Sequence, residues 1–570
     1  MSASDARKWW ALVAIAASVL VVGLDLTVLS LALPVLSAHL HASTTDLQWF
    51  SAAYSLVLAA ALLPAGLIGD RIGRKKLLLI ALVLFGISSA ACAFSHSSAE
   101  LIAARAVLGL GAAAIFPMSI AVLPVLFTEE ERPRAIAVIM GATFIGYPVG
   151  PLLGGWLLDN FWWGSVFLIN VPVVVLALVA VTLLMPESYG ARTTSFDIPG
   201  IALSSLGLAS LTYGFIKAGQ DGWGDTTAVV TMVAGAVVLV AFVIWERWIT
   251  GRGGQPLIQL ELFRSAGFTW GTVLTTFVSF AMFGILFAMP QYFQEVLGFD
   301  SFGSGLRILP LIGGMVLGML AGTRLQTARQ AADGEPAKAA PLGARPLVAA
   351  GFAVMAAALA VGAATRVTSG TGFAVIWFAV AGLGLGLALP AAMNAALGAL
   401  STERSGSGSA LITAMRQVGA TIGVAVLGTV LLSGYRSRLS VGHLPAVAAD
   451  AVRSSVAGGV AVAHAADSAA LLVMVRAAYV HGLDVMLAVC AVIALASALL
   501  ALIFLPRRAA TPAAPTTPAS TAGPASPAVP GPATDGAGLP AVTAGDGAAR
   551  PVATGPRSGE NQGHERDRHR

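Results

Sequence analysis

The sequence predicts an all-α membrane protein of fourteen transmembrane helices, and three observations carry that reading. Of the 570 residues, 57% are hydrophobic and only 11% are charged, against about 25% charged in ordinary soluble domains. That leaves too little polar surface to coat a water-soluble globule. The apolar residues also come in runs of roughly twenty, the length at which a helix crosses a bilayer core. Finally, the runs are about twice the length of a barrel strand and lack strict alternation, so their backbone groups must pair within helices.

In chain order the runs lie near 10–34, 47–69, 77–95, 100–126, 135–158 and 164–185. Two more follow near 198–217 and 226–248, and six more near 268–292, 303–323, 346–366, 372–397, 408–433 and 481–505. Arg7 and Lys8 precede the first run as in a signal peptide, but the run continues through Leu33 and carries Asp25, which makes it a membrane helix rather than a cleaved segment. The net charge of +5 does not point to nucleic acid, because the basic residues are spread over short loops. Arg71, Arg74, Lys75, Lys76, Arg132, Arg134, Arg247, Arg252 and Arg264 all fall on the side of the N-terminus. The positive-inside rule then puts both termini in the cytoplasm of a multi-pass plasma-membrane protein, as an even helix count requires.

The expected organisation is a cytoplasmic N-terminus (1–9), a six-helix bundle (10–186), two extra helices (187–250), a second six-helix bundle (251–506) and a disordered cytoplasmic tail (507–570) rich in Ala, Pro, Gly and Thr. Residues 434–480 read as a long outer loop. Cys92 and Cys490 sit inside apolar runs as packing residues, with no disulfide framework and no metal-ligand spacing. No cofactor or metal is expected, no nucleophile–base constellation suggests an enzyme, and no Gly-x4-Gly-Lys-Ser/Thr loop provides for ATP.

An internal repeat supports the two-bundle division. Residues 109–122 read GLGAAAIFPMSIAV and residues 382–395 read GLGLGLALPAAMNA. Gly109, Gly111 and Pro117 match Gly382, Gly384 and Pro390, and Glu131-Arg132 and Glu403-Arg404 follow. Helix 4 thus corresponds to helix 12, the offset of eight given by two six-helix halves separated by two extra helices. Parallel repeats of this kind occur in transporters.

Four local patterns make the reading specific. Helix 1 carries Leu24-Asp25-Leu26-Thr27-Val28. The loop after helix 2 reads Gly66-Leu67-Ile68-Gly69-Asp70-Arg71-Ile72-Gly73-Arg74-Lys75. Helix 4 has Arg105 followed by Gly109, Gly111, Ala112 and Ala113, and helix 5 reads Gly146-Tyr147-Pro148-Val149-Gly150-Pro151-Leu152-Leu153-Gly154-Gly155. In this order they resemble the fourteen-helix drug:proton antiporter branch of the major facilitator superfamily, over about residues 8–506. Phe167-Leu168-Ile169-Asn170-Val171-Pro172 and Arg416-Gln417-Val418-Gly419 fit the same branch, and Trp163-Gly164-Ser165-Val166-Phe167 is similar to exporters of quaternary ammonium compounds and dyes. Two departures stand out. Leu108 occupies a position where the family pattern usually has Gln. After Gly305-Leu306-Arg307-Ile308-Leu309-Pro310, helix 10 lacks the acid found in some quaternary-ammonium exporters, which argues against divalent or strongly cationic cargo.

The resemblance implies the superfamily fold and proton-driven export of lipophilic, cationic drugs by alternating access. A dedicated exporter of one endogenous antibiotic, metabolite or lipid is the alternative. The implied partners are a small-molecule substrate, protons and the lipid bilayer, with no nucleic acid, and the chain is expected to be a monomer. Asp25 lies in mid-helix, where a charge costs at least ~2.5 kcal/mol and normally faces a cavity or a partner. The resemblance makes Arg105 that partner and ties the pair to proton coupling; bracing of helix 1 is the alternative role. Gly66, Asp70, Arg71, Gly73 and Arg74 are implied to form a cytoplasmic latch. Gly146, Gly150 and Gly154 share a face at four-residue spacing, which permits close helix contact; with Pro151 and Gly155 they are implied to form the antiporter motif. Candidate substrate contacts are Tyr54, Tyr147, Phe283, Phe287, Glu295 and Arg416, since aromatic faces suit flat lipophilic cations. Arg416 and Arg307 fit pocket function and helix bracing equally well.

Overall fold

The computed structural model describes residues 3–190, 197–254, 256–332, 344–400, 405–442 and 444–506. The expected tail 507–570 lies outside the described residues. Among the described residues fourteen long helices follow one another: α1 (Ala3–His39), α2 (Thr44–Ile72), α3 (Arg74–Ala93), α4 (Ser98–Ala121), α5 (Arg132–Asn160), α6 (Asn170–Leu184), α7 (Ile198–Asp221), α8 (Thr226–Gly251), α9 (Ala266–Gln291), α10 (Ser301–Ala332), α11 (Ala344–Gly362), α12 (Thr371–Leu397), α13 (Ser405–Ser437) and α14 (Ala469–Phe504). Thirteen are long and apolar enough to cross a membrane, α6 being taken together with the short helix Ser165–Leu168 before it. The remaining helix, α5, has 29 residues and a length of about 43 Å, ample for a span.

Polar caps fix where these helices begin. Ser43 and Asp46 form a capping box at α2, and the side chains of Ser97, Asp225 and Ser468 cap α4, α8 and α14, each worth about 1 kcal/mol. The turn from α2 to α3 rests on Gly73, at φ 109° and ψ 132°, backbone space that is essentially reserved for glycine. A Cβ there would also strike the Glu187 carboxylate. That carboxylate accepts the N–H groups of Lys75 (2.9 Å) and Lys76 (3.1 Å), so it caps α3 from the α6–α7 connection. Gly73→Ala is therefore expected to cost about 1–3 kcal/mol, read as a lower melting temperature in detergent.

The repeat seen in the sequence is realised as repeated packing. In α4, a Cβ at Gly109 would meet the Tyr54 carbonyl of α2, and one at Gly111 the Ala81 carbonyl of α3. In α12, a Cβ at Gly382 would meet the Leu311 carbonyl of α10, and one at Gly384 the Gly351 carbonyl of α11. Matched glycines seat matched helices, α2 with α10 and α3 with α11. The extra helices α7 and α8 pack on each other, and α7 also touches α2 and α13. Their outer faces, including Val230, Val233 and Val237, are exposed apolar surface, as suits contact with lipid.

Three expectations need correction. Residues 434–480 are not one long loop. They hold the end of α13, the short helices Ala446–Ser454 and Val456–Ala465, and the first turns of α14. The helix expected at 481–505 begins at Ala469 instead, because Arg476, His481 and Asp484 interrupt the apolar run. Arg476 is satisfied inside the protein, its Nε donating to the Glu295 carbonyl at 3.1 Å. Helix 6 is broken at Ile169, which separates Ser165–Leu168 from α6. Beyond α9, the chain continues through a π-helical turn, Tyr292–Val296.

Candidate functional site

Five helices converge on Asp25. Its side chain and that of Arg105 are only 2% and 1% exposed, and Arg105 Nη1 donates to Asp25 Oδ2 at 2.6 Å. Arg105 Nε donates to the Phe50 carbonyl at 3.1 Å, and its guanidinium lies 4.6 Å from the Tyr54 ring centre. The arginine is thus held by a carboxylate, a carbonyl and an aromatic face at once. Gly109 makes this possible, since a Cβ there would lie 2.5 Å from the Tyr54 carbonyl and push α4 away from α2. From α6, the Asn170 amide lies beside Asp25 and donates to Ser89 Oγ of α3 at 3.1 Å. Ser89 in turn donates to the Phe167 carbonyl at 2.8 Å. In the sequence Asn170 stands within the 167–172 pattern, with nothing to mark its role.

The glycines of α5 serve two contacts. Gly146 faces the backbone of Gly23 and Leu24, Gly150 faces Thr27, and Gly154 faces Val28. One face of α5 therefore lies on the turn of α1 that carries Asp25. Gly155 and Pro151 point elsewhere: a Cβ at Gly155 would lie 2.6 Å from Phe302 Cα, and one at Gly305 would strike the Pro151 carbonyl. Together they form a seam between α5 and α10. Asp159 closes it by accepting the N–H groups of Ser301 (3.0 Å) and Phe302 (2.8 Å) at the start of α10. Gly155→Val is expected to force this seam apart, because overpacking a close contact costs about 1–3 kcal/mol. Spin labels at Asn160 and Gly298 should show a longer distance than in the parent protein.

A water-sized void of about 20 Å³ adjoins the ion pair, lined by Ser30, Ser51, Ser55, Arg105, Phe283 and Phe287. Phe283 and Phe287 thus reach the neighbourhood of Asp25, as does Tyr54, and Tyr147 lies near Tyr54. Glu295 and Arg416 do not join them. Glu295 belongs to the π-helical turn beyond α9, and Arg416 Nε sits 3.4 Å from Ser279 Oγ, bracing α13 against α9. Arg307 also braces, lying over the Phe299 ring at 3.3 Å and donating to the Gly303 carbonyl.

A second, larger cavity of about 770 Å³ lies at the level of the α2–α3 turn. Gly66, Asp70 and Arg74 form part of one wall, while Ile258, Ser409 and Leu411 contribute to the other. Asp70 and Arg74 pair at 2.8 Å, and Arg74 Nη1 donates to the Ala121 carbonyl at the end of α4 (2.7 Å). Arg71 is exposed in the last turn of α2. A Cβ at Gly66 would meet nothing within 4 Å; the residue faces the open space of the cavity. The wall residues Gly254, Pro256, Leu257, Ile258, Gln259 and Leu262 carry no sequence signal, since their side chains form no recognisable pattern.

Comparisons with known proteins show the family. A sequence profile described as Major Facilitator Superfamily matches residues 15–424. The chain belongs to this superfamily. It is 33% identical over 428 residues to the tetracenomycin C resistance and export protein of Streptomyces glaucescens, covering 75% of this chain and 76% of that protein. It is 32% identical over 498 residues to the multidrug efflux pump LfrA of Mycolicibacterium smegmatis, covering 86% and 95%. The fold resembles a bacterial homologue of the human lysosomal transporter Spinster in an inward-facing conformation, with a TM-score of 0.62 at 16% identity, covering 88% of this chain and 98% of that one. As a superfamily member with fourteen long helices, the chain is a multi-pass membrane protein.

Proposed function

We propose that this protein exports lipophilic, cationic drugs or dyes across the plasma membrane in exchange for protons, with Asp25 as the proton carrier and Arg105 as its partner. The observation that carries this reading is the buried Asp25–Arg105 pair at 2.6 Å, next to a void with serine and phenylalanine walls. Protonating Asp25 removes the ion pair and frees Arg105. Deprotonation restores a buried anion that a cationic substrate can match instead. Proton and cargo then exclude one another at a single carboxylate, which is the chemical requirement for exchange.

The two ends of the molecule support alternating access. On the face away from Gly73, the halves are held together by Asp159 at α10, by Gln294 Nε2 donating to the Leu31 carbonyl (3.0 Å) and by Ser37 Oγ donating to Ser455 Oγ (3.2 Å). On the Gly73 face they are separated by the 770 Å³ cavity. With the basic loops and both termini in the cytoplasm, this is a state open to the inside. Asp70 and Arg74 on one wall and Ser409 on the other would meet when that side closes, which is how the latch would hold the outward-open state.

The driving force suffices. One charge crossing 100 mV is worth ~2.3 kcal/mol, so a proton force of ~150 mV gives about 3.5 kcal/mol, or a gradient of a few hundred-fold. The test is ethidium movement in proteoliposomes with and without a pH gradient. Accumulation that needs the gradient supports exchange; equal movement without it refutes proton coupling. The name of the Streptomyces glaucescens relative favours a second reading, export of one endogenous antibiotic. A panel of unrelated dyes separates the two, because a dedicated exporter would ignore nearly all of them.

A further inference from the structure

The inserted helices α7 and α8 hold a second pair of buried acids, Asp197 and Glu246, 3% and 0% exposed. Asp197 caps α7: its Oδ1 accepts the N–H of Gly200 at 2.9 Å and the indole N–H of Trp245 at 2.7 Å. Glu246 Oε2 accepts the N–H of Ile258 at 3.2 Å. The other two oxygens, Asp197 Oδ2 and Glu246 Oε1, are buried and receive no donor from the described residues. They lie close together: a Cβ at Gly200 would fall on the first and lie 2.7 Å from the second.

Two carboxylate oxygens are both acceptors, so such a contact needs a proton between them, and neighbouring carboxylates in one site cannot both stay ionised. Among the described residues no cation pairs with them. On α7, Lys217 pairs with Asp221 at the far end. On α8, Arg247 is exposed and Arg252 lies over Trp248. Glu261 and Arg264 of the adjoining segment are exposed. On α2, Asp70 pairs with Arg74, while Asp46 caps the far end and Arg71 is exposed. On α13, Arg416 contacts Ser279 and Arg436 donates to Gly219 and Gln220 at the far end of α7. Mg²⁺ or Ca²⁺ is a poor fit, since each takes six or more oxygens, and no three metal-binding side chains cluster among the described residues.

We propose that Asp197 and Glu246 form a proton-binding carboxyl pair, separate from Asp25, that clamps one wall of the cavity to the inserted helices. Glu246 is the link, because the Ile258 N–H that it holds belongs to the segment lining the cavity. Loss of the shared proton leaves two buried like charges, drives Glu246 away from Asp197 and releases residues 256–258. The inserted helices thereby make the cavity wall respond to cytoplasmic pH.

The test uses the full-length chain in an Asp25→Asn background, so that Asp25 contributes no signal. Infrared spectroscopy in H₂O and D₂O should show a deuterium-sensitive protonated-carboxyl band at neutral pH that disappears in both Glu246→Gln and Asp197→Asn. A nitroxide at Gln259→Cys, an exposed position in the same segment, should become severalfold more mobile as the pH is raised. It should stay unresponsive in Glu246→Gln, whose carboxamide keeps the bond to Asp197 without a titrating proton. A carboxyl band unchanged by both substitutions overturns the shared proton. The same nitroxide pH response with and without Glu246→Gln overturns the clamp.

Discussion

Asp25→Asn is expected to abolish gradient-driven dye export, lowering a proton-driven accumulation of a few hundred-fold to none. Asparagine is nearly isosteric and its carbonyl still accepts the Arg105 donor that now reaches Asp25 Oδ2. It neither takes up a proton nor offers a negative charge, so the site loses exchange while keeping its shape. The α5 glycines that seat α1 at Gly23, Leu24, Thr27 and Val28 are untouched, so the protein should reach the membrane in ordinary amount. The measurement is ethidium accumulation in proteoliposomes normalised to incorporated protein. Accumulation equal to that of the parent protein would remove Asp25 from the mechanism.

Arg105→Ala should have the larger effect on stability. It leaves Asp25 buried without its cation and removes the guanidinium bond to the Phe50 carbonyl. Removing one member of a buried pair typically costs about 3–5 kcal/mol, so a marked fall in melting temperature in detergent is expected together with loss of transport. Adding Asp25→Asn removes the orphaned charge. The double variant should therefore recover part of the loss, with a coupling energy of about 0.5–3 kcal/mol. A melting temperature unchanged by Arg105→Ala, or strictly additive effects, would show that the pair holds nothing together.

The candidate site was legible where the chemistry is costly. A charge inside an apolar run announces itself, which is why Asp25 and Arg105 stood out before any contact was known. Evenly spaced glycines announce a close approach in the same way. Charges beside helix ends do not, because an acid there looks like an ordinary interfacial residue. Glu187, Asp159, Asp197 and Glu246 fall in this class. The roles of Glu187, Asp159 and Glu246 come from backbone N–H groups outside their own segment: Lys75 and Lys76 for Glu187, Ser301 and Phe302 for Asp159, and Ile258 for Glu246. Glu295 and Arg416 show the opposite limit. Their composition suited a pocket, but helix rotation and the π-helical turn put them elsewhere.

The sequence by itself determined that this is a fourteen-helix membrane protein built on a repeat, with an acid and an arginine committed to its interior. Burial in lipid leaves a chain of this composition few alternatives, because every backbone polar group must be paired within a helix. Only the tertiary structure decided which faces meet: that Arg105 reaches Asp25, that one side of α5 rides on α1 while the other seals α10, and that two acids on the inserted helices oppose each other. Those outcomes depend on how helices rotate and approach, set by contacts between residues up to hundreds of positions apart, and periodicity along a single chain does not encode them.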